Sequence, residues 1–195
     1  MNFPLDLRFK LMAISSQITV RDSAGQVCFS VKQKAFKLRE AVTVFADEAQ
    51  TSPVYRIGAD RIIDFNAQYG VEDMSGRQLG VIRRQGMRSL WRSRYDVTRE
   101  GSPAFAIQES NPWVSVLDGI VGQLPIVGIL SGYLFHPAYR VTRADTGAEA
   151  FRVTKQPAFF EGRFQVDAVD SPGGDDEQLA LMGILMMVLL ERAKG

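Results

Sequence analysis

The sequence predicts a mainly β fold: a closed antiparallel barrel of about twelve strands around a central hydrophobic C-terminal helix. Three observations carry this. A strand, a Gly-containing turn and a second strand recur along the chain. That many short antiparallel strands must hide their edges, and closing the sheet removes them. A barrel that wide is not filled by its own side chains, and the uncharged run Leu179–Leu190 supplies a helix to fill it.

The elements follow in order. Phe3, Leu5, Leu7 and Phe9 alternate with polar residues, the period of a half-buried strand. Asp6, Arg8 and Lys10 interrupt the apolar run that a secretory signal needs, so no signal peptide is read here. Four copies of one hairpin then stand out. Ile18-Thr-Val20-Arg-Asp22 turns at Gly25, and Tyr69-Gly-Val71-Glu-Asp73 turns at Gly76. Tyr95-Asp-Val97-Thr-Arg99 turns at Gly101, and Tyr139-Arg-Val141-Thr-Arg143 turns at Gly147. Each is followed by a second alternating strand: Val27–Val31, Leu79–Arg83, Phe105–Ile107 and Phe151–Val153. Val42–Ala46 with Val54–Ile57 is a looser fifth copy, and Phe164–Ala168 is a last strand. The period is irregular, which rules out a solenoid.

A helix is expected over about 175–193. Asp175, Asp176 and Glu177 precede the apolar run, and Arg192 and Lys194 follow it, which complements the helix dipole. Twelve uncharged residues make a helix of roughly 18 Å, too short to cross a bilayer core of about 30 Å. A helix apolar on every face is buried on every face.

Between the fourth and fifth hairpins lies an insertion at about 112–135, whose one charge is Asp118. Asn111-Pro112 reads as a cap and first helical position, and Val114, Leu117, Val121 and Leu124 fall on one helical face. Pro125 ends that piece and Ile126 begins a second. Three readings compete: a crossover packed on the barrel end, a hairpin touching membrane or partner, and a transmembrane span. Gly119–Phe135 is uncharged but only seventeen residues long, short of the clean apolar stretch that a span wants.

The hairpins, the Leu79-Gly80-Val81-Ile82-Arg83-Arg84 strand, the Asn111-Pro112-Trp113 to Pro125-Ile126-Val127-Gly128 insertion and the Asp175-Asp176 lead into a terminal apolar helix resemble the LURP-one-related proteins. These group with Tubby C-terminal domains and phospholipid scramblases. The resemblance spans nearly the whole chain. It implies one Tubby-like barrel over residues 1–195. Scramblases bind calcium before their terminal helix, but this chain lacks the alternating Asp loop with its closing Glu. Tubby domains bind phosphoinositides through a basic patch, and their residues do not match here one by one.

Chemistry is sparse. One cysteine excludes a disulfide framework and Cys-rich zinc sites, and suits an intracellular, cytoplasmic chain. One histidine, His136, excludes multi-histidine metal sites. Cys28 lacks a base placed near it, and no phosphate loop is present. No catalytic residue, metal or cofactor is assigned, and no enzyme is expected. Lys plus Arg is 23 and Asp plus Glu is 22, so bulk charge selects no partner and nucleic acid is not expected. Locally, Arg83, Arg84, Arg88, Arg92 and Arg94 form a run without an acid among them. Such a patch would attract anionic phospholipid headgroups at a membrane surface. The plain alternative is a solvated sheet face paired with acids such as Glu72 or Asp73. Apolar contact would come from Trp113, Leu117, Val121 and Ile126. The leading expectation is thus a binding module for a membrane surface or a protein partner. A structural interaction barrel without a lipid role, and a carrier of a small apolar ligand beside Met182, Met186 and Met187, stand as alternatives.

Overall fold

The computed structural model describes residues 1–11, 15–34, 41–61, 68–85, 94–110, 138–156 and 162–192. Among them twelve strands form one closed antiparallel barrel in which each strand pairs with the next and β1 pairs with β12. The strands are β1 (Leu5–Leu11), β2 (Ser15–Arg21), β3 (Val27–Lys34), β4 (Val42–Phe45), β5 (Pro53–Arg61) and β6 (Gln68–Asp73). They continue with β7 (Gln78–Gln85), β8 (Arg94–Arg99), β9 (Ser102–Glu109), β10 (Ala138–Arg143), β11 (Glu149–Gln156) and β12 (Gly162–Ala168). One helix, α1 (Gly174–Arg192), closes the described chain.

Register explains the interior. Side chains alternate across a strand, so antiparallel partners share a face. Leu7 lies opposite Val20 and Phe164, Tyr69 opposite Ile82, Ile82 opposite Val97, and Ile107 opposite Val141. All of these are at most 6% exposed. The wall therefore presents a continuous lining of branched and aromatic side chains. Into it fits α1, whose residues Leu179–Leu190 are all buried. Such a helix shows no preferred face because the wall surrounds it. Each large side chain so buried contributes about 1.5–3 kcal/mol.

Met182, Met186 and Met187 have 0% exposure. A void large enough for a water molecule beside them would leave surface that water could touch. The described interior thus has no room for the small apolar guest considered from the sequence.

The four predicted glycines sit in the turns with φ between 71° and 85°. That is the left-handed region a hairpin turn demands and only glycine enters freely. Two of the turns are built alike. The Asp22 carboxylate accepts from the N–H of Ala24 and Gln26, and that of Asp73 from Ser75 and Arg77. Five register shifts fall beside such turns, at Val20, Val44, Val71, Val97 and Val141. Bulges raise the local twist, which helps a sheet close.

The up-and-down order sorts connections to two rims. The short hairpin turns and the start of α1 share one, the turn rim. The other, the far rim, holds the ends of β7, β9 and β11, the starts of β8 and β10, and the end of α1. The insertion at 112–135 and residues 86–93 lie outside the described residues, but the strand ends they join are at the far rim. No helix among the described residues is long and apolar enough to cross a membrane.

Candidate functional site

Three of the five arginines of the predicted patch are described, and alternation divides them. Arg83 points outward and is exposed. Arg84, the next residue, pairs in register with buried Tyr95 and so lies on the inner phase of the wall. This corrects the expectation that Arg84 shares the patch with Arg94: two consecutive strand residues cannot face the same side. Arg94 is outward and its Nε is 3.0 Å from Asp96 Oδ1. Gln85 also donates to Asp96, which stands opposite Arg83 in register. Asp96 is therefore the acid that answers this face, in place of the expected Asp73. Asp73 holds its own turn and pairs with Arg77 at 3.0 Å, while Glu72 stands across from Arg56. Arg88, Arg92, Trp113, Leu117, Val121, Ile126 and His136 lie outside the described residues.

At the far rim the inner face changes character. In the last layer, Tyr69, Arg84, Tyr95, Glu109, Tyr139 and Lys155 occupy the inner phase on six consecutive strands, β6 to β11. Below this rim the same phase is apolar. Tyr95 is 0% exposed and its hydroxyl donates to Glu191 Oε1 at 2.5 Å, tying β8 to the last turn of α1. Burial holds the Tyr95 phenol far above its ordinary range, and the Glu191 bond and charge add to this. Tyr139 is pushed up by burial and then by Glu191 and Glu109. These phenols stay neutral donors at any ordinary pH. Sequence reading singled out the tyrosines only as strand starters. The signal available was that Tyr69, Tyr95 and Tyr139 head equivalent strands. We expect Tyr95→Phe to lower stability by about 2 kcal/mol, the size of a buried bond to a charged acceptor. Urea unfolding checks this, and adding Glu191→Gln to that variant should cost little more.

The other end of α1 is also tied. Asp175 lies 2.8 Å from Arg77 and 3.6 Å from Arg99, and Asp176 lies 2.5 Å from Arg99. The acids expected to serve the helix dipole thus also reach across to two hairpins. Tyr55 donates to Gln178 Oε1 at 3.4 Å, and Ser171 to Glu177 Oε2 at 2.5 Å. A surface cavity of about 340 Å³ sits beside this rim, lined in part by Arg99, Phe105, Arg143, Pro172 and Asp176. Its arginines already engage Asp176 and Asp170. No group of three or more His, Cys, Asp and Glu among the described residues could hold a metal. Cys28 is partly buried, and its Sγ donates to the Gln26 carbonyl at 3.8 Å. Burial, and then the charge of Asp22, push the thiol pKa up, the reverse of an activated nucleophile.

The outer wall from β10 to β1 shows a repeated device in which two arginines share one carboxylate. Arg140 and Arg152, opposite in register, both approach Glu149, at 3.6 and 2.7 Å. Arg8 and Arg163 both approach Asp6, at 2.9 and 2.7 Å. Burial raises the Asp6 pKa, but bonds from Arg163 and Arg8 outweigh it and leave it lowered. Guanidiniums so shared keep donors turned to solvent.

Comparison with known proteins agrees with this architecture. Among curated proteins none matches. An X-ray structure of a protein from Arabidopsis thaliana is similar over 97% of this chain and 91% of that one, with a TM-score of 0.50 and 15% identity. At that identity the likeness shows the fold alone. Residues 27–122 match the sequence profile of the LURP-one-related family. That match covers β3 to β9, including the Arg83–Arg94 segment and the first part of the insertion. Residues 27–122 therefore carry a LURP-one-related domain.

Proposed function

We propose that this barrel is a non-enzymatic binding module for anionic phospholipid, as a cytoplasmic protein peripheral at a membrane. One juxtaposition carries the reading. The stretch Arg83–Arg94, with five arginines and no acid, runs from the end of β7 to the start of β8, and the nearly uncharged insertion joins β9 to β10. Strands β7 to β10 are consecutive in the barrel, so the strand ends that flank both segments stand side by side at one rim. A basic residue near an anionic surface is worth about 1 kcal/mol. Stable attachment generally needs a second, apolar anchor, and the insertion supplies that chemistry.

The test is co-sedimentation with vesicles of phosphatidylcholine alone, with phosphatidylserine, and with a phosphoinositide. Binding is expected only to the anionic vesicles, and is expected to weaken as salt rises toward physiological strength. Arg88→Glu with Arg92→Glu should remove most of it without changing the melting temperature. Equal binding to neutral vesicles would overturn the electrostatic part. Asp96, which already neutralises Arg94, favours a second reading, an interaction barrel for a protein partner. The absence of binding to every vesicle would select it.

A further inference from the structure

We infer that the barrel meets an anionic membrane end-on, far rim toward the lipid and turn rim away, because folding sorts charge along the barrel axis. This rests on the membrane reading above. The whole chain is nearly neutral, with 23 basic and 22 acidic residues. Its topology separates them. The turns and the first helical turn gather acids, among them Glu48, Glu100, Asp145, Asp170, Asp175 and Asp176. The turn-rim arginines Arg21, Arg77, Arg99 and Arg143 already pair with acids there. At the far rim the described strand ends carry Lys10, Arg83, Arg84, Arg94, Lys155 and Arg163 against Asp96, Glu109 and Glu191, so basic residues are in excess there.

The separation is large on the scale that matters. Helix α1 runs from one rim to the other and has 19 residues, about 28 Å at 1.5 Å per residue. The Debye length at physiological salt is about 8 Å. End-on, the acids of the turn rim sit more than three screening lengths from the lipid and are not felt. Side-on, the arginine wall from β10 to β1 would face the membrane. It would bring Asp6 and Glu149 with it, since each already sits between two of its arginines. It would also bring acids of the turn rim within a screening length. The end-on pose keeps the attraction and discards the repulsion.

The experiment places a fluorophore at either end of the barrel in a Cys28→Ser background. Met74→Cys labels an exposed turn-rim position, and Gln108→Cys an exposed position on β9 toward the far rim. Both proteins are mixed with phosphatidylserine vesicles carrying a headgroup spin label, and bound protein is measured by sedimentation in the same samples. The label at 108 should lose most of its emission and the label at 74 almost none. Binding with equal quenching at both positions would overturn the end-on pose, and the far-rim docking with it, while leaving the affinity for anionic phospholipid intact. No sedimentation would remove both.

Discussion

Leu185→Asp is expected to abolish folding. Leu185 lies in the middle of α1 and is 2% exposed, inside the barrel wall. A carboxylate there has no solvent and no cationic partner, because every residue from Leu179 to Leu190 is uncharged and buried. Burying an unpaired charge costs several kcal/mol even after the group takes up a proton. A domain of this size has about 5–15 kcal/mol to lose, and the lost leucine packing adds to the deficit. The helix cannot escape by rotating, since no face is turned to water. Circular dichroism with thermal melting is the measurement: the variant should lack a cooperative transition. Leu185→Met, which nearly conserves volume, should cost under about 1.5 kcal/mol. A wild-type melt for the aspartate variant would show that the helix does not fill the barrel.

Gly80→Ala is expected to destabilise the protein by about 3 kcal/mol, at the upper end for overpacking. A Cβ at position 80 would stand 2.3 Å from the Thr98 carbonyl oxygen and 2.9 Å from both methyl carbons of Leu179. The leucine can shift, but the carbonyl belongs to neighbouring strand β8 and cannot move without disturbing the ladder. Glycine is thus required here for close approach of helix and wall, not for its backbone freedom. Gly58→Ala serves as a control, because its nearest neighbour would be the Ala41 Cβ at 3.9 Å, an ordinary contact. Parallel urea unfolding should lower the midpoint of the first variant strongly and leave the second within about 0.5 kcal/mol of wild type. An unchanged midpoint for Gly80→Ala would mean that α1 sits farther from β7 than described.

The two substitutions also show what kind of information the sequence carries. The buried helix was legible because an apolar run of twelve residues admits few environments outside a membrane. The hairpins were legible because alternation and turn glycines are local properties: Gly25, Gly76, Gly101 and Gly147 all have positive φ. Gly80 was not legible. Within Leu79-Gly80-Val81 it reads as a weak strand residue, and only the approach of Leu179, about a hundred residues later, gives it a purpose.

The same boundary runs through the candidate site. Clustering of Arg83, Arg84, Arg88, Arg92 and Arg94 is visible in the chain. Which of them share a face is partly visible, since alternation already sets Arg84 against Arg83. Their answering acid is not visible. Asp96 was chosen by register, which places it opposite Arg83 and two residues from Arg94. The bond from Tyr95 to Glu191 joins residues 96 apart in sequence, and no local pattern announces it.

By itself, then, the sequence determined the strands, their turns, the closed antiparallel barrel and the helix at its centre. These follow from period, turn chemistry and the need to bury apolar surface and hide strand edges, all short-range or compositional constraints. Only the tertiary structure decided which charges meet, that tyrosines and charged residues line one end of the interior, and that acids are in excess at one rim and basic residues at the other. Those depend on register and on the alternating direction of twelve strands. Together they bring residues far apart in the chain to the same rim and send neighbours in the chain to opposite faces.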